Sequence, residues 1–173
     1  MTDDDQIVIL RIELCETVPL IWRRVAVRST TNLASLHRTI QAAMGWHNAH
    51  LWEFTIDNVI YGKPMPGGAD WGHVVKSASA MKLAKLFAKG IKKFDYLYDM
   101  GESWAHQISL ERFEAAQPGR LYPELLEGQR RCPPENCGGI PGYDEFLNVI
   151  TAPDQGKESQ RKKQALEVVR RAL

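Results

Sequence analysis

Two stretches near the start of the chain alternate between apolar side chains and others. In IVILRIEL, residues 7–14, every second residue from Val8 onward is aliphatic. In IWRRVAVR, residues 21–28, the same period begins at Ile21 and includes Arg23. A period of two is typical of half-buried strands. Because only a short turn containing ETVP separates the two stretches, we expect them to pair as antiparallel strands.

Further elements follow from local signals along the chain. Apolar residues at helical spacing predict a helix from Asn32 to Met44, with a threonine before it as cap and Gly45 ending it. The pattern also predicts two short strands around residues 57–58, a short helix before Gly90, and a strand pair in FDYLYDM and WAHQISLERF. Residues 117–142 contain five Pro and five Gly, which predicts a long irregular segment. Two last helices are expected at 143–150 and 158–172.

Strands first, then helices interleaved with more strands, predict an α+β fold. In this class helices pack on one face of a mostly antiparallel sheet. With 173 residues, 44% of them hydrophobic and 25% charged, the chain has the size and composition of one globular domain spanning 1–173.

Charge, apolar run lengths and cysteine count narrow the class of protein. A net charge of +1 excludes a domain that is basic all round, so a nucleic-acid role would need a local patch. The chain shows no secretory signal and no apolar run near the ~20 residues of a membrane helix. Three cysteines do not form a full disulfide framework. We therefore expect a cytoplasmic protein without a membrane partner.

The stretch YDMGESWAHQISLE has the highest density of reactive side chains. A two-residue turn at Gly101 and Glu102 would put Asp99 and His106 on one face of the hairpin beside Trp104. A three-residue loop would shift the register by one and send Asp99 to the opposite face from His106. Spacing alone leaves both registers open. It also leaves open whether Asp99 and His106 form a functional site or a polar contact that fixes the hairpin.

Other candidates lie elsewhere in the chain. His50 is expected on a strand face with Trp52, either as a ligand or as a histidine at the edge of the core. Glu135 lies in a loop stiffened by two prolines, which can present it over the sheet or use it structurally. Two basic clusters are candidates for phosphate contact, with a solvated surface as the alternative: Arg23, Arg24 and Arg28 with Arg38, and Arg161, Lys162 and Lys163 with Arg170 and Arg171.

The chain resembles the plasmid pRiA4b ORF-3-like family. Four ordered motifs carry the resemblance over residues 7–150: IWRRVAV, LHRTIQAAMGWHNAHLWEF, YLYDMGESWAHQISLE and CPPENCGGIPGYDEFL. The resemblance implies a protein associated with plasmids and mobile elements. It marks motif residues including Trp46, His50, Tyr98, Asp99 and Glu135, together with Trp104 and His106. Glu102 and Asn136 stand where the family commonly has Asp, and the helix at 158–172 is basic where the family usually has an acidic tail.

Three functions remain open, and the first is favoured. It is a noncatalytic binding module for a small ligand or protein, with a pocket at a sheet edge formed by Trp46, His50, Asp99, Trp104, His106 and Glu135. The second is a metal-dependent hydrolase in which His50, Asp99, His106 and Glu135 are ligands or base around a divalent ion. The third is a nucleic-acid-associated protein. Standard nucleotide and hydrolase motifs are absent, which favours a protein that is not an enzyme and needs no cofactor. Some family members are labelled as insertion-element passenger proteins of resolvase type, but this chain shows neither the serine nor the tyrosine recombinase architecture.

Overall fold

A single sheet dominates the computed structural model, which describes residues 6–64 and 74–151. Its eight strands within those ranges are β1 (Gln6–Leu14), β2 (Ile21–Arg28), β3 (Trp52–Ile56), β4 (Val59–Gly62), β5 (Val75–Ser77), β6 (Lys93–Tyr98), β7 (Trp104–Ala115) and β8 (Glu124–Gln129). They lie in the order β5-β4-β3-β6-β7-β1-β2-β8. Of the strand pairs described, β4 and β5 are parallel and the others antiparallel. The predicted mostly antiparallel sheet is confirmed.

Helices cover one face of this sheet. They are α1 (Leu33–Met44), α2 (Leu83–Ala88) and α3 (Gly139–Thr151), with a short 3-10 turn at Ala78–Ala80. Leu36 of α1 and Leu86 of α2 are buried in the same core as Val8 and Leu10 of β1. The alternation in β1 and β2 therefore turns one set of side chains toward the helices, and the α+β prediction is confirmed. None of the helices within the described ranges is long and apolar enough to cross a membrane.

The ends of α1 are fixed by its own sequence. The Asn32 side chain accepts a hydrogen bond from the main-chain N–H of Ser35 at 2.8 Å. The cap is thus Asn32, rather than the threonine we expected. Gly45 ends the helix at φ 82° and donates its N–H to the carbonyl of Gln41, as predicted.

The segment predicted as irregular contains strand β8, so that prediction is wrong for residues 124–129. This strand pairs with β2 at the edge of the sheet, and Leu125 remains 54% exposed. Because an edge strand buries few side chains, its sequence needs no apolar alternation and gives no clear signal. Helix α3 begins at Gly139 rather than Tyr143. The helix predicted at 158–172 lies outside the described residues.

Candidate functional site

The hairpin between β6 and β7 has a five-residue loop, 99–103. Tyr98 pairs with Trp104 and Tyr96 pairs with His106. Asp99 and Ser103 both adopt positive φ, and the Ser103 N–H donates to the Asp99 carbonyl at 2.6 Å. The two-residue turn is therefore wrong, and the register is that of the alternative, shifted by one. His106 shares its face with the tyrosines of β6 instead of with Asp99.

The Asp99 carboxylate shapes the loop and also meets a histidine. Its Oδ1 accepts from the N–H groups of Gly101 at 3.0 Å and Glu102 at 3.3 Å. Its Oδ2 lies 3.5 Å from Nε2 of His50. The Asp99 main-chain N–H donates to the Leu51 carbonyl at 2.9 Å, which ties the hairpin loop to the segment before β3. Asp99 thus has an imidazole neighbour, but this neighbour is His50 and not the expected His106.

Glu135 reaches the same place from the far end of the sequence. Its Oε1 accepts a short hydrogen bond from the Tyr98 hydroxyl, and its Oε2 accepts from the His47 N–H at 3.1 Å. Tyr98 is fully buried, and its hydroxyl accepts from the Ala49 N–H at 3.0 Å. Burial, helped by the Glu135 carboxylate, holds the pKa of Tyr98 well above its ordinary value, so the phenol stays protonated and donates. Tyr98 connects the segment of Ala49 with the loop of Glu135. It was not among the residues proposed for the site, although the motif contains it.

Glu102 forms a second bridge to the loop that carries Glu135. Its Oε2 accepts from Nε1 of Trp104 at 3.0 Å, and its Oε1 accepts from the Gly138 N–H at 2.5 Å. A Cβ at Gly139, whose φ is +67°, would lie 2.8 Å from the Glu102 carbonyl oxygen. The longer Glu side chain at this position is therefore structural, because it joins the hairpin loop to the start of α3.

Trp46 is the centre of a buried aromatic cluster beneath these carboxylates. Its ring lies 5.1 Å from that of Tyr98, 6.0 Å from Trp104 and 5.4 Å from His106, measured between centroids. Its Nε1 donates to the Pro133 carbonyl at 2.9 Å. Trp46, Trp104 and His106 are 6%, 1% and 1% exposed. The cluster is therefore filled by its own side chains.

His106 is the deepest polar member of the cluster. Neither ring nitrogen has a hydrogen-bond partner among the described residues. Burial lowers the pKa of His106 to about 4, and the neighbouring main chain of Tyr96 and Trp104 opposes the shift only in part. At neutral pH the ring is uncharged. Its burial allows it to support a binding surface from beneath but not to contact a partner directly.

The structure thus brings together all six residues proposed for the site, from three distant segments. His50 and Glu135 remain partly accessible, whereas Trp104 and His106 do not. Within the described ranges, no group of three His, Cys, Asp or Glu side chains is arranged to hold a metal ion. The three cysteines are free, and burial raises the pKa of Cys132 and Cys137 to about 11, so these two are thiols at neutral pH.

Three arginines of the first basic cluster contact other parts of the molecule, while Arg38 is exposed on α1. Arg23 donates to the carbonyls of Ala43 at 2.8 Å and Gln129 at 3.0 Å and to Sγ of Cys132 at 3.2 Å. Arg24 forms ion pairs with Glu111 and Glu127. Arg28 lies over the ring of Tyr122, 5.7 Å from its centroid. The other predicted phosphate contacts, Arg161, Lys162 and Lys163, lie outside the described residues.

Comparison with known proteins agrees with the motifs. A family model described as plasmid pRiA4b ORF-3-like protein matches residues 6–170. An uncharacterized protein, y4hQ, from Sinorhizobium fredii (strain NBRC 101917 / NGR234) is 38% identical over 155 residues, which are 89% of this chain and 78% of that protein. The crystal structure of MM3350, a protein of unknown function from Methanosarcina mazei Go1, superposes with a TM-score of 0.83 at 28% identity, covering 97% of this chain and 91% of the other.

Proposed function

The chain belongs to the plasmid pRiA4b ORF-3-like family, and we propose that it is a noncatalytic protein-binding module. Its binding surface, the rim surface, is formed by the segment 47–51 and the hairpin loop 99–102. This surface lies above the aromatic cluster centred on Trp46.

The observation that carries the proposal is a pair of exposed apolar side chains on a firmly held support. Leu51 is 61% exposed and Met100 is 42% exposed. The hydrogen bond from the Asp99 N–H to the Leu51 carbonyl holds the two segments against each other. Large apolar side chains grouped on a rigid surface are typical of interaction sites, and methionine adapts well to a partner.

Polar groups beside these side chains favour a partner of defined chemistry. Asp99, Glu102 and Glu135 bring three carboxylates to this end of the sheet. Electrostatic complementarity then favours a partner segment that combines apolar with basic side chains. Nε2 of His50 has no hydrogen-bond partner among the described residues, but this atom is buried beside the Asp99 carboxylate, so a partner would meet only the accessible part of the ring.

A protein partner agrees with the packing better than a small molecule does. Small ligands are usually enclosed in a pocket, but Trp46, Tyr98 and Trp104 fill the space beneath the rim surface by contact with one another. A partner must therefore be met at the surface itself. In place of the polar pocket expected from the sequence, the molecule has a surface with a filled interior.

The same site lacks the parts of a hydrolase. An imidazole beside a carboxylate is the arrangement of a general base. Here the Asp99 carboxylate lies on Nε2 of His50, so a nucleophile would have to bond to the other ring nitrogen, and the structure gives no hydroxyl or thiol hydrogen-bonded to that ring within the described residues. The metal-dependent alternative has no set of ligands in the same ranges. The proposal is therefore a binding function rather than a catalytic one.

A peptide-display selection against the intact protein tests the proposal. We expect selected peptides to be rich in basic and apolar residues, and synthetic copies to bind in fluorescence anisotropy. Leu51→Ser and Met100→Ser should each weaken that binding about tenfold, because each removes a buried apolar contact. Leu121→Ser is the matched control, since Leu121 is 85% exposed and lies outside the rim surface.

Two results would contradict the proposal. Peptides that bind the two rim variants as tightly as the unchanged protein would show that the rim surface is not the binding site. The selection is also run against a variant that carries both Leu51→Ser and Met100→Ser. If no peptide is enriched more strongly on the unchanged protein than on this variant, the protein-binding function is contradicted.

A further inference from the structure

A second surface of the chain combines basic with apolar side chains, and it lies away from the rim surface. The segment 81–93, MKLAKLFAKGIKK, contains α2 and leads into β6. It carries five lysines and no Asp or Glu. The members of this surface are the exposed residues Lys82, Lys85, Lys89 and Lys92 with the rings of Phe87 and Phe113. We call it the lysine surface.

The packing of α2 explains why its lysines share one side. Leu83 and Leu86 are buried in the core, so the helix turns its other side outward. Lys82, Lys85 and Lys89 follow one another at intervals of three and four residues, which brings their side chains to the same side of a helical turn. The lysines therefore form one positively charged group rather than separate charges.

An exposed aromatic ring lies beside these lysines. Phe113 of β7 is 46% exposed. Its ring meets that of Phe87 of α2 edge to face, with 5.7 Å between the centroids. Phe113 pairs across the sheet with Val8, which faces the helices. The lysine surface thus has an apolar centre on the helical side of the sheet.

The charge of the lysine surface is not compensated by the part of the chain that the structure describes. None of the ion pairs among residues 6–64 and 74–151 includes a lysine. The acids of the neighbouring β7 are already paired, Glu111 with Arg24 and Glu114 with Arg112. An acidic partner would therefore meet free positive charge.

The opposite chemistry is found at the rim surface and continues into the turn 15–20 between β1 and β2. This turn lies beside the hairpin, because the Cys15 N–H donates to the Ala105 carbonyl at 2.9 Å. It adds the exposed Glu16 and Val18, of which Val18 is 88% exposed. The turn, the segment 47–51 and the hairpin loop contain three acidic residues and no Lys or Arg. This end of the sheet is acidic and apolar.

The two surfaces lie at opposite ends of the β6–β7 hairpin. The hairpin loop joins the end of β6 to the start of β7. Lys92 directly precedes β6, and its carbonyl accepts from the Leu110 N–H at 2.8 Å, while Phe113 is near the end of β7. A strand of six residues is about 20 Å long. One copy of the chain can therefore present its lysine surface to another copy and keep its own rim surface free.

We propose that the partner of the rim surface is a second copy of this chain, which binds through its lysine surface. The lysines would meet the carboxylates at the rim end of the sheet, and Phe113 would pack against Leu51 and Met100. This inference rests on the proposed function, because it names the partner for which the rim surface is suited. Contact between two different surfaces is heterologous, so the assembly extends head to tail beyond two copies.

Sedimentation equilibrium of the full chain at neutral pH tests the inference. At low salt we expect the weight-average mass to rise with concentration, past the mass of two chains. Added salt should lower this mass, because it screens the attraction between exposed charges. Lys85→Glu and Lys89→Glu should each weaken the association about tenfold, by placing like charges opposite each other. Lys76→Glu makes the same change in the exposed edge strand β5 and should leave the association unchanged.

A mixture of two variants shows whether these two surfaces meet. The first variant carries Leu51→Ser and Met100→Ser and keeps its lysine surface. The second carries Lys85→Glu and Lys89→Glu and keeps its rim surface. Each alone should be monomeric, since every contact needs both surfaces. Mixed in equal amounts, they should form dimers and nothing larger, because only one intact surface is left on each chain.

Three results would overturn the inference. If the unchanged protein stays monomeric at low salt, a second copy is not the partner, although selected peptides that bind the rim surface would still support the proposed function. If the unchanged protein associates but the mixed variants do not, the contact joins other surfaces. If the protein stays monomeric and retards an oligothymidylate that the lysine variant does not retard, the lysine surface binds nucleic acid instead.

Circular dichroism checks that the variants are folded. All substituted lysines are exposed, so the fold should be kept. If the variant with two glutamates is not folded, Lys85→Gln with Lys89→Gln takes its place, with a smaller loss of association expected because no like charges are introduced.

Discussion

Replacing His106 by phenylalanine should remove part of the protein's sensitivity to acid. His106 is 1% exposed, and burial lowers its pKa to about 4 in the folded protein. In the unfolded chain the same group has a pKa of about 6.5. Between these values the unfolded state binds a proton that the folded state does not, so stability falls as the pH is lowered from about 6.5 through about 4.

The size of this effect follows from the two pKa values. At about pH 5 the proton taken up on unfolding costs the folded state about 2 kcal/mol for His106. His37 behaves alike, since it is 2% exposed and burial lowers its pKa to about 4. Its ring lies between the Tyr96 hydroxyl and the Asn48 side chain, at 2.7 Å from each. The two histidines together cost about 4 kcal/mol at that pH, and His106→Phe should recover about half of it.

Urea unfolding near neutral pH and near pH 5 measures the effect. The quantity compared is the loss of unfolding free energy between the two conditions, in the unchanged protein, in His106→Phe and in His47→Gln. His47 is exposed, so His47→Gln should behave like the unchanged protein. Each protein is compared with itself at the two pH values. The comparison therefore holds even if phenylalanine changes the unfolding free energy at neutral pH. If His106→Phe and the unchanged protein lose the same unfolding free energy between the two pH values, His106 is not a buried neutral imidazole.

Two other substitutions test how the loops are held. Arg23→Met removes hydrogen bonds to main-chain carbonyls and to Cys132, and should lower the unfolding free energy by about 2–4 kcal/mol in urea titrations; a change below about 0.5 kcal/mol would mean that these bonds are dispensable. Gly139→Ala should cost more than Gly119→Ala, because both glycines have positive φ but only at Gly139 would the Cβ meet the Glu102 carbonyl, at 2.8 Å. Equal losses in the two glycine variants would contradict the close approach of α3 to the hairpin loop.

Much of the fold could be predicted because its signals are local. The alternation in β1 and β2 predicted both their faces and their antiparallel pairing. Gly45 marks the end of α1 through a hydrogen bond within one helical turn, as predicted, whereas the cap at the start of the helix is Asn32 and not the expected threonine. Strand β8 was missed because an edge strand pairs through its main chain and leaves side chains such as Leu125 exposed. Its pairing with β2 depends on residues about a hundred positions away.

The sequence predicted which residues lie at the site but not how they contact one another. The motifs pointed to Asp99, His50 and Glu135, and these residues do lie together. The loop 99–103 could not be predicted, because its conformation depends on Asp99 and Ser103 adopting positive φ and on the bond from Asp99 to Leu51. Burial of His106, which excludes it from direct contact with a partner, follows from packing that spacing does not reveal.

The sequence by itself determined the strands other than β5 and β8, the glycine that ends the first helix and the choice of side chains near the hairpin, because backbone propensity and capping act over a few residues. Only the tertiary structure decided that Tyr98 joins Ala49 and Glu135, and that Glu102 joins Trp104 and Gly138. The physical reason is that a buried polar group must find its partner in space. Those partners come from segments whose approach is set by the packing of the whole sheet.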